Sequence, residues 1–345
     1  MIGGAYQPGL YANTTANPNV TWETATIKNI GFEFSLFNGL FSGEADYFTK
    51  RTVDILLPND EDKPESLGTA LPDANFGVTN NKGFEFVLNH KNNIGDFGYN
   101  ISVNGTYAKS KIIEIKEPIG ENPLVRKTGA PINQHQGWIA LGLFQSVEEI
   151  AVSPTQFGVP LQPGDIKYKD LNEDGVIDGN DKSNIGNTDI PEFIYGFNIG
   201  TNYKNFELNL FFQGATGFDR NVVNVPFELD TNSERVLLDS WSPTNTDAAY
   251  PRLSRGTTTN NHKDSTFWLK DATYLRLKNI ELAYTIPQLL GLQQIGVDDV
   301  RLFLSGSNLL TWSKIENRDP EGPSGIRGAF YPQTKSILLG INVKF

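Results

Sequence analysis

The chain has 345 residues, 38% of them hydrophobic, a net charge of −11 and no cysteine. The acidic balance and the lack of a basic patch argue against nucleic-acid binding. Cysteine nucleophiles and disulfides are excluded, and no run of about 18 apolar residues could form a membrane-crossing helix. The start, Met1-Ile-Gly-Gly-Ala-Tyr-Gln-Pro8, has no basic stretch followed by an apolar one, so it does not read as a signal peptide.

Strand side chains alternate with a period of two. That period predicts strands near 30–37, 41–56, 82–91, 97–115, 193–203, 205–215, 272–286, 299–312 and 333–345. Phe97, Tyr99, Ile101, Val103 and Tyr107 oppose Gly98, Asn100, Ser102, Asn104 and Thr106, and Phe193, Tyr195, Phe197 and Ile199 oppose Ile194, Gly196, Asn198 and Gly200. Asn29-Ile-Gly-Phe-Glu-Phe34 recurs as Asn81-Lys-Gly-Phe-Glu-Phe86, each opening a hairpin, as in a sheet built by successive addition. Gly31 and Gly83 in these repeats read as backbone geometry. The closing strand, Lys335–Phe345, puts Ile337, Leu339, Ile341, Val343 and Phe345 on one face.

Connection lengths sort by parity. Short ones lie at 38–40, 90–96, 203–205 and 287–298, and long ones at 57–81, 116–192, 216–271 and 313–332. Short turns at one end and long loops at the other is the topology of bacterial outer-membrane barrels, with the long loops outside. The expectation is therefore all-β: an antiparallel transmembrane β-barrel segment of about nine strands, with one face on lipid. Nine is odd and cannot close an antiparallel barrel with both termini on one side, which implies missing N-terminal strands. The parity also predicts that Gly137–Phe144, although strand-like, stays out of the wall and belongs to the external region. The rival is a secreted, calcium-stabilised β-sandwich that binds carbohydrate, and behind it an extracellular glycan hydrolase. In a sandwich the apolar faces converge on a shared core; in the barrel segment they form one exposed band.

The sharpest local motif is Asp170-Leu-Asn172-Glu-Asp174-Gly175-Val176-Ile-Asp178-Gly-Asn-Asp181. It matches the calcium-loop pattern D-x-[DN]-x-[DN]-G with a carboxylate at position twelve. Calcium takes six to eight oxygens, which Asp170, Asn172, Asp174, the Val176 carbonyl and Asp181 would supply, with Gly175 at the sharp turn. No helix pattern precedes the loop, so the expectation is a structural Ca2+ loop without the helix pair. A run of Asx turns without an ion is the alternative. His90, His135 and His262 lie far apart and read as surface or loop residues. Asp60, Glu61 and Asp62, and Glu148 with Glu149, read as solvated surface. No G-x-S-x-G or phosphate loop occurs, and no enzyme is expected. Trp22, Tyr47, Phe48, Tyr203, Tyr284 and Trp312 are candidates for interfacial girdles. Trp138, Phe144, Trp241, Trp268 and Phe330 are loop aromatics that either stack on a sugar or, the favoured reading, pin the loops to one another.

Ordered segments along nearly the whole chain carry a resemblance. They are Trp22-Glu23 before Asn29-Ile-Gly31; Gly164-Asp-Ile-Lys-Tyr-Lys-Asp170 running into the acidic loop; Ile185-Gly-Asn187 leading to Tyr195-Gly-Phe-Asn198; Trp241-Ser-Pro-Thr-Asn245; and Tyr250-Pro-Arg252. They continue with Asp271-Ala-Thr-Tyr-Leu-Arg-Leu-Lys-Asn279, Tyr284-Thr-Ile-Pro287, Arg301-Leu-Phe-Leu-Ser-Gly-Ser-Asn-Leu-Leu310 and Tyr331-Pro-Gln-Thr-Lys335. In these segments the chain resembles the C-terminal part of the SusC/RagA-type TonB-linked outer-membrane transporters of the Bacteroidota. The resemblance implies a barrel of about 22 strands plugged by an N-terminal domain. It also implies a SusD-like surface lipoprotein as a lid, TonB engaging a missing N-terminal region, and import of a glycan or peptide substrate. On that reading residues 1–345 are the C-terminal part of the barrel domain, without signal peptide or plug, located in the outer membrane.

Overall fold

The computed structural model describes residues 16–59, 69–118, 120, 122–222, 238–253, 260–286, 296–315, 318–324, 331 and 333–345. Nine long strands form one sheet: β1 (Thr24–Leu36), β2 (Phe41–Leu57), β3 (Ala74–Ile94), β4 (Phe97–Glu114), β5 (Phe193–Tyr203), β6 (Phe206–Thr216), β7 (Tyr274–Ile286), β8 (Asp299–Ser313) and β9 (Ser336–Lys344). They pair in chain order, each antiparallel to the next, and β1 and β9 are the two edges. All nine expected strands are present. β1 starts at Thr24 and β3 at Ala74, earlier than the periodicity places them.

The turns explain the hairpins. Phe37, Asn38 and Gly39 all have positive φ (53°, 56° and 82°), as does Lys204 (52°) between β5 and β6. Such backbone closes a tight antiparallel connection with the strand twist preserved. Since strands alternate in direction, the short connections share one end of the sheet and the long ones the other. Gly137 and Ala140–Leu143 lie at the long-connection end in separate two-stranded pairs, outside the large sheet.

Cross-strand partners share a face, so the register can be followed across the wall. The row Ile30–Tyr47–Phe84–Tyr107–Phe193 and the row Ile101–Ile199–Leu210–Ile280 lie on one face, joined through Leu282–Leu304–Leu339 to β9. A register shift at Lys278 keeps both Ile280 and Leu277 on that face. The opposite face is polar, with Glu33 opposite Glu44 and Asp46 opposite Glu85. Among the described residues the apolar face stands largely open: Ile30 is 73% exposed and Leu339 81% exposed. The apolar faces therefore form one open band without a shared core, which goes against the sandwich.

Buried hydrophobic residues concentrate among the long connections instead. Ile166, Tyr168, Ile177 and Trp268 form one cluster, and Ala215, Phe218, Ala272 and Tyr274 form another where the loops meet β6 and β7. Among the described residues no helix is long and apolar enough to cross a membrane.

The register corrects one girdle assignment. Phe48 pairs with Asn29 and Gly83, which puts it on the polar face. A Cβ at Gly83 would stand 2.7 Å from its ring, so the glycine makes room for the aromatic. Tyr47, Tyr203, Tyr284 and Trp312 lie on the apolar face near its ends, and Trp22, 90% exposed, precedes β1.

Candidate functional site

The described residues of the connections 122–192 and 238–271 fold at one end of the sheet into a cross-linked assembly. Its centre is Trp268, against which Tyr250 and Phe267 pack. Phe157 stands edge-on to Trp138 (centroids 5.1 Å apart) and to Tyr168 (5.6 Å). Phe144 and Trp268 are buried, and Trp138 donates its indole N–H to the Asp178 carbonyl (2.7 Å). These aromatics pin the loops together. Trp241 reaches the Gln145 side chain (3.2 Å) and lies over Gly164, whereas Phe330 falls outside the described residues, as do Asp60, Glu61 and Asp62.

A buried polar network runs beside this cluster. Gln156 donates to the Ile166 carbonyl (2.9 Å) and to Asn260 (2.8 Å), and accepts from the Tyr168 amide (2.8 Å). Asn261 accepts from the Ile166 amide (2.9 Å) and donates to Asp165 (2.9 Å), while its carbonyl takes the Trp268 indole (2.8 Å). Arg252 closes the network with Nε 2.7 Å from Asp165 Oδ1. The contacts that join the 156–168 stretch to Arg252, Asn260 and Asn261 span roughly 90 to 100 positions, so no local pattern could have announced them. Burial pushes the Tyr168 hydroxyl pKa up, which keeps it a neutral donor to the Asn260 carbonyl.

A second hub is Asp189. Its carboxylate accepts from Ser324 and from Arg220 (3.3 Å), and its carbonyl accepts from Arg220 at 2.6 Å. His135 Nε2 lies 3.3 Å from Asp189 Oδ1, at ion-pair distance but out of line for a hydrogen bond. The Asp189 contact raises the His135 pKa against the opposing effect of burial, with the charge of Asp219 adding to it. Burial pushes the Asp189 carboxyl up, but His135, Ser324 and Arg220 outweigh it and bring it down to about 2. His135 is thus a loop residue, as expected, and half-buried as a cross-link to Asp189. Beside it opens a cavity of about 360 Å³ lined by Gln134, Gln136, Asn221, Asp264, Ser265 and Leu269 among others.

On the polar face Arg276 of β7 is buried and binds Asp319 (2.7 Å), Glu321 and Thr311 (3.0 Å), anchoring the 318–324 segment to the wall. Glu149 is likewise not simply solvated. Ser146 caps the short helix Val147–Ala151 by accepting from the Glu149 amide (3.2 Å), while the Glu149 carboxylate accepts from the Gln145 amide (2.8 Å) and binds Lys167 (2.7 Å).

The acidic loop is ordered by its own backbone. Asp170 accepts from the Glu173 and Gly175 amides (2.7 and 2.8 Å), Asp174 from Val176 (2.9 Å), and Asn172 donates to Asp174 (2.8 Å). Gly175 has φ +84°, as the turn requires. Asp181 is buried and spends its oxygens on the Leu171 and Asp178 amides (2.7 and 2.9 Å). Among the described residues, no three His, Asp or Glu side chains gather as a metal site.

No family model matches the chain. A TonB-dependent receptor of Formosa agariphila is 31% identical over 373 aligned residues, covering 100% of this chain and 37% of that protein. The TonB-dependent receptor SusC of Bacteroides thetaiotaomicron is 26% identical over 95% of the chain and 32% of its own length. Among solved structures, the RagAB peptide transporter superposes with a TM-score of 0.74 at 24% identity, over 98% of this chain and 37% of the matched one. The chain therefore spans about a third of the length of the relatives it matches, and the nine-stranded sheet is part of a transmembrane β-barrel wall.

Proposed function

The chain belongs, as part of the barrel, to the SusC/RagA-type TonB-dependent receptors of the outer membrane, and from that premise we propose that it is the loop-bearing C-terminal barrel portion of a nutrient importer. The proposed cargo is a glycan or another large nutrient such as a peptide, captured with a SusD-like lipoprotein and moved by TonB acting on a part of the protein outside this chain. One observation carries the reading. Every long connection leaves the same end of a wall with one apolar face, and the described residues of 122–192 and 238–271 fold into a cross-linked cap. A cap of this kind suits a surface that must hold its shape while lid and cargo come and go. The cavity beside Asp189, with amide and carboxylate walls, is the proposed point of cargo contact.

Uptake of fluorescent oligosaccharides and oligopeptides by cells carrying the receptor tests the proposal, with and without a protonophore. Uptake that stops when the proton gradient collapses, and when the SusD-like partner is deleted, is the expected outcome. Uptake indifferent to both would overturn it.

We further propose that Ca2+ binds the 170–181 loop through Asp170, Asn172, Asp174, the Val176 carbonyl and Asp181. The spacing and the Gly175 turn support this, and Asp181 must give up its backbone donors to join the shell. Calcium affinity that is lost in Asp170→Ala and Asp174→Ala variants is expected; affinity unchanged by both removes the site.

A further inference from the structure

On β1 to β4 the apolar face does not end at its aromatic row. Two residues beyond Ile30–Tyr47–Phe84–Tyr107, toward the long connections, the next row on the same face is Lys28–Thr49–Lys82–Lys109. The row after it is Thr26–Arg51–Asn80–Lys111. Five cations thus lie in two adjacent rows, and all five are exposed. Lys109 is held by Glu192 (2.6 Å). Lys28, Arg51, Lys82 and Lys111 take part in none of the ion pairs among the described residues.

Apart from Glu192, which precedes β5, the carboxylates are segregated from them. From the Thr26 row to the Leu36 row, the apolar face of β1 to β4 carries no Asp or Glu; Glu33, Glu44, Asp46 and Glu85 all point to the other face. A solvated surface in a chain of net charge −11 gives no reason for such sorting. Strands are spaced about 4.8 Å apart and rise about 3.4 Å per residue, so the patch measures about 14 by 7 Å, the footprint of one or two lipid headgroups. It begins one row above a ring of aromatics, which sit at the headgroup level of a bilayer.

We propose that Lys28, Arg51, Lys82, Lys109 and Lys111 form a docking site for the phosphate groups of anionic lipid at the membrane surface. The occupant is lipid because the patch is continuous with the lipid-facing band and opposite to it in charge. Long lysine stems lie along the apolar surface and lift their ammonium groups to the headgroups. β5 begins at the aromatic row itself, with Phe193, which is why the patch is confined to β1 to β4. The site rests on the reading of the apolar band as the lipid face.

Native mass spectrometry of the protein purified in neutral detergent micelles provides the test. Micelles are doped in turn with phosphatidylglycerol and with phosphatidylcholine, and a third sample carries inorganic phosphate. Retention of phosphatidylglycerol over phosphatidylcholine is expected, with a loss of about fivefold for each cation removed. Lys28→Gln, Arg51→Gln, Lys82→Gln and Lys111→Gln together should erase the preference, while Lys28→Arg with Lys82→Arg keeps it. Equal retention of the two lipids, a preference untouched by the four substitutions, or displacement by inorganic phosphate alone would overturn the site. A protein that enters no micelle at all would sink the lipid-face reading itself, a different failure.

Discussion

Asp165 shows how one side chain can hold a loop assembly together. It is almost completely buried, and its oxygens are shared between Arg252, Asn261 and the Gln162 amide. Removing one partner of a buried ion pair strands the other charge, at a cost of about 3–5 kcal/mol. Arg252→Ala is therefore expected to make the 260–268 region protease-sensitive while leaving the strand content of the sheet unchanged by circular dichroism. The Asp189 hub adds a pH dependence. His135 has a folded pKa above its ordinary 6.5, so its contribution is fully present below that pH and is lost as pH rises through the folded value. Asp189 has a folded pKa of about 2 against an ordinary 3.8, so its contribution is present above 3.8 and is lost as pH falls toward 2. The cross-link is strongest between about pH 4 and 6.5. Hydrogen exchange of the amides around 133–137 and 187–190, corrected for intrinsic rates, should quicken from pH 6 to pH 8. A His135→Gln variant should lose that difference. None of this was legible in the sequence. His135 and Asp189, like Gln156 and Asn260, meet across tens of intervening residues, and their spacing carries no motif.

Strands, by contrast, could be read directly. Period-two alternation and turn residues located all nine, because a wall that separates lipid from a polar interior must alternate along its whole membrane-crossing length. The same physics explains the two early starts. Ala74–Asn81 of β3 is rich in Asn and lacks alternation, since a strand that has left the hydrocarbon no longer needs an apolar side. Phe48 shows the limit of periodicity next to a second aromatic. Tyr47 and Phe48 are indistinguishable by type, and only the partner strand, with Gly83 beneath the Phe48 ring, sets the phase. Phe303 over Gly340 repeats the device on β8 and β9. At the centre of the wall Phe197 stacks on Phe212 with centroids 4.5 Å apart. Charges on the lipid face of a barrel cost up to about 2–4 kcal/mol near the midplane, carboxylates somewhat less. Phe193→Asp, Phe197→Asp and Ile199→Asp combined should block membrane assembly, seen as loss of the heat-modifiable folded band on gels; normal assembly would refute their placement.

At the scale of the whole molecule, the sheet has an oily side without cover and a cap with a core of its own. The monomer should remain in solution only with detergent, and sedimentation of a detergent-free monomer would contradict the band's lipid contact. The cap, cross-linked by Arg252, Arg276 and Asp189, should melt separately from the wall. Strand length has a further consequence. The eleven residues of β5 run from one aromatic rim to the other, Phe193 to Tyr203, which at about 3.4 Å per residue and a tilt near 40° is about 26 Å of depth. On β3 and β4 the change from ring to cation takes a single step of two residues. The protein therefore carries its own waterline. It matches a thin bilayer closely, and one with longer acyl chains would submerge the Lys28–Lys109 row, so the sequence also states which membrane thickness it was made for.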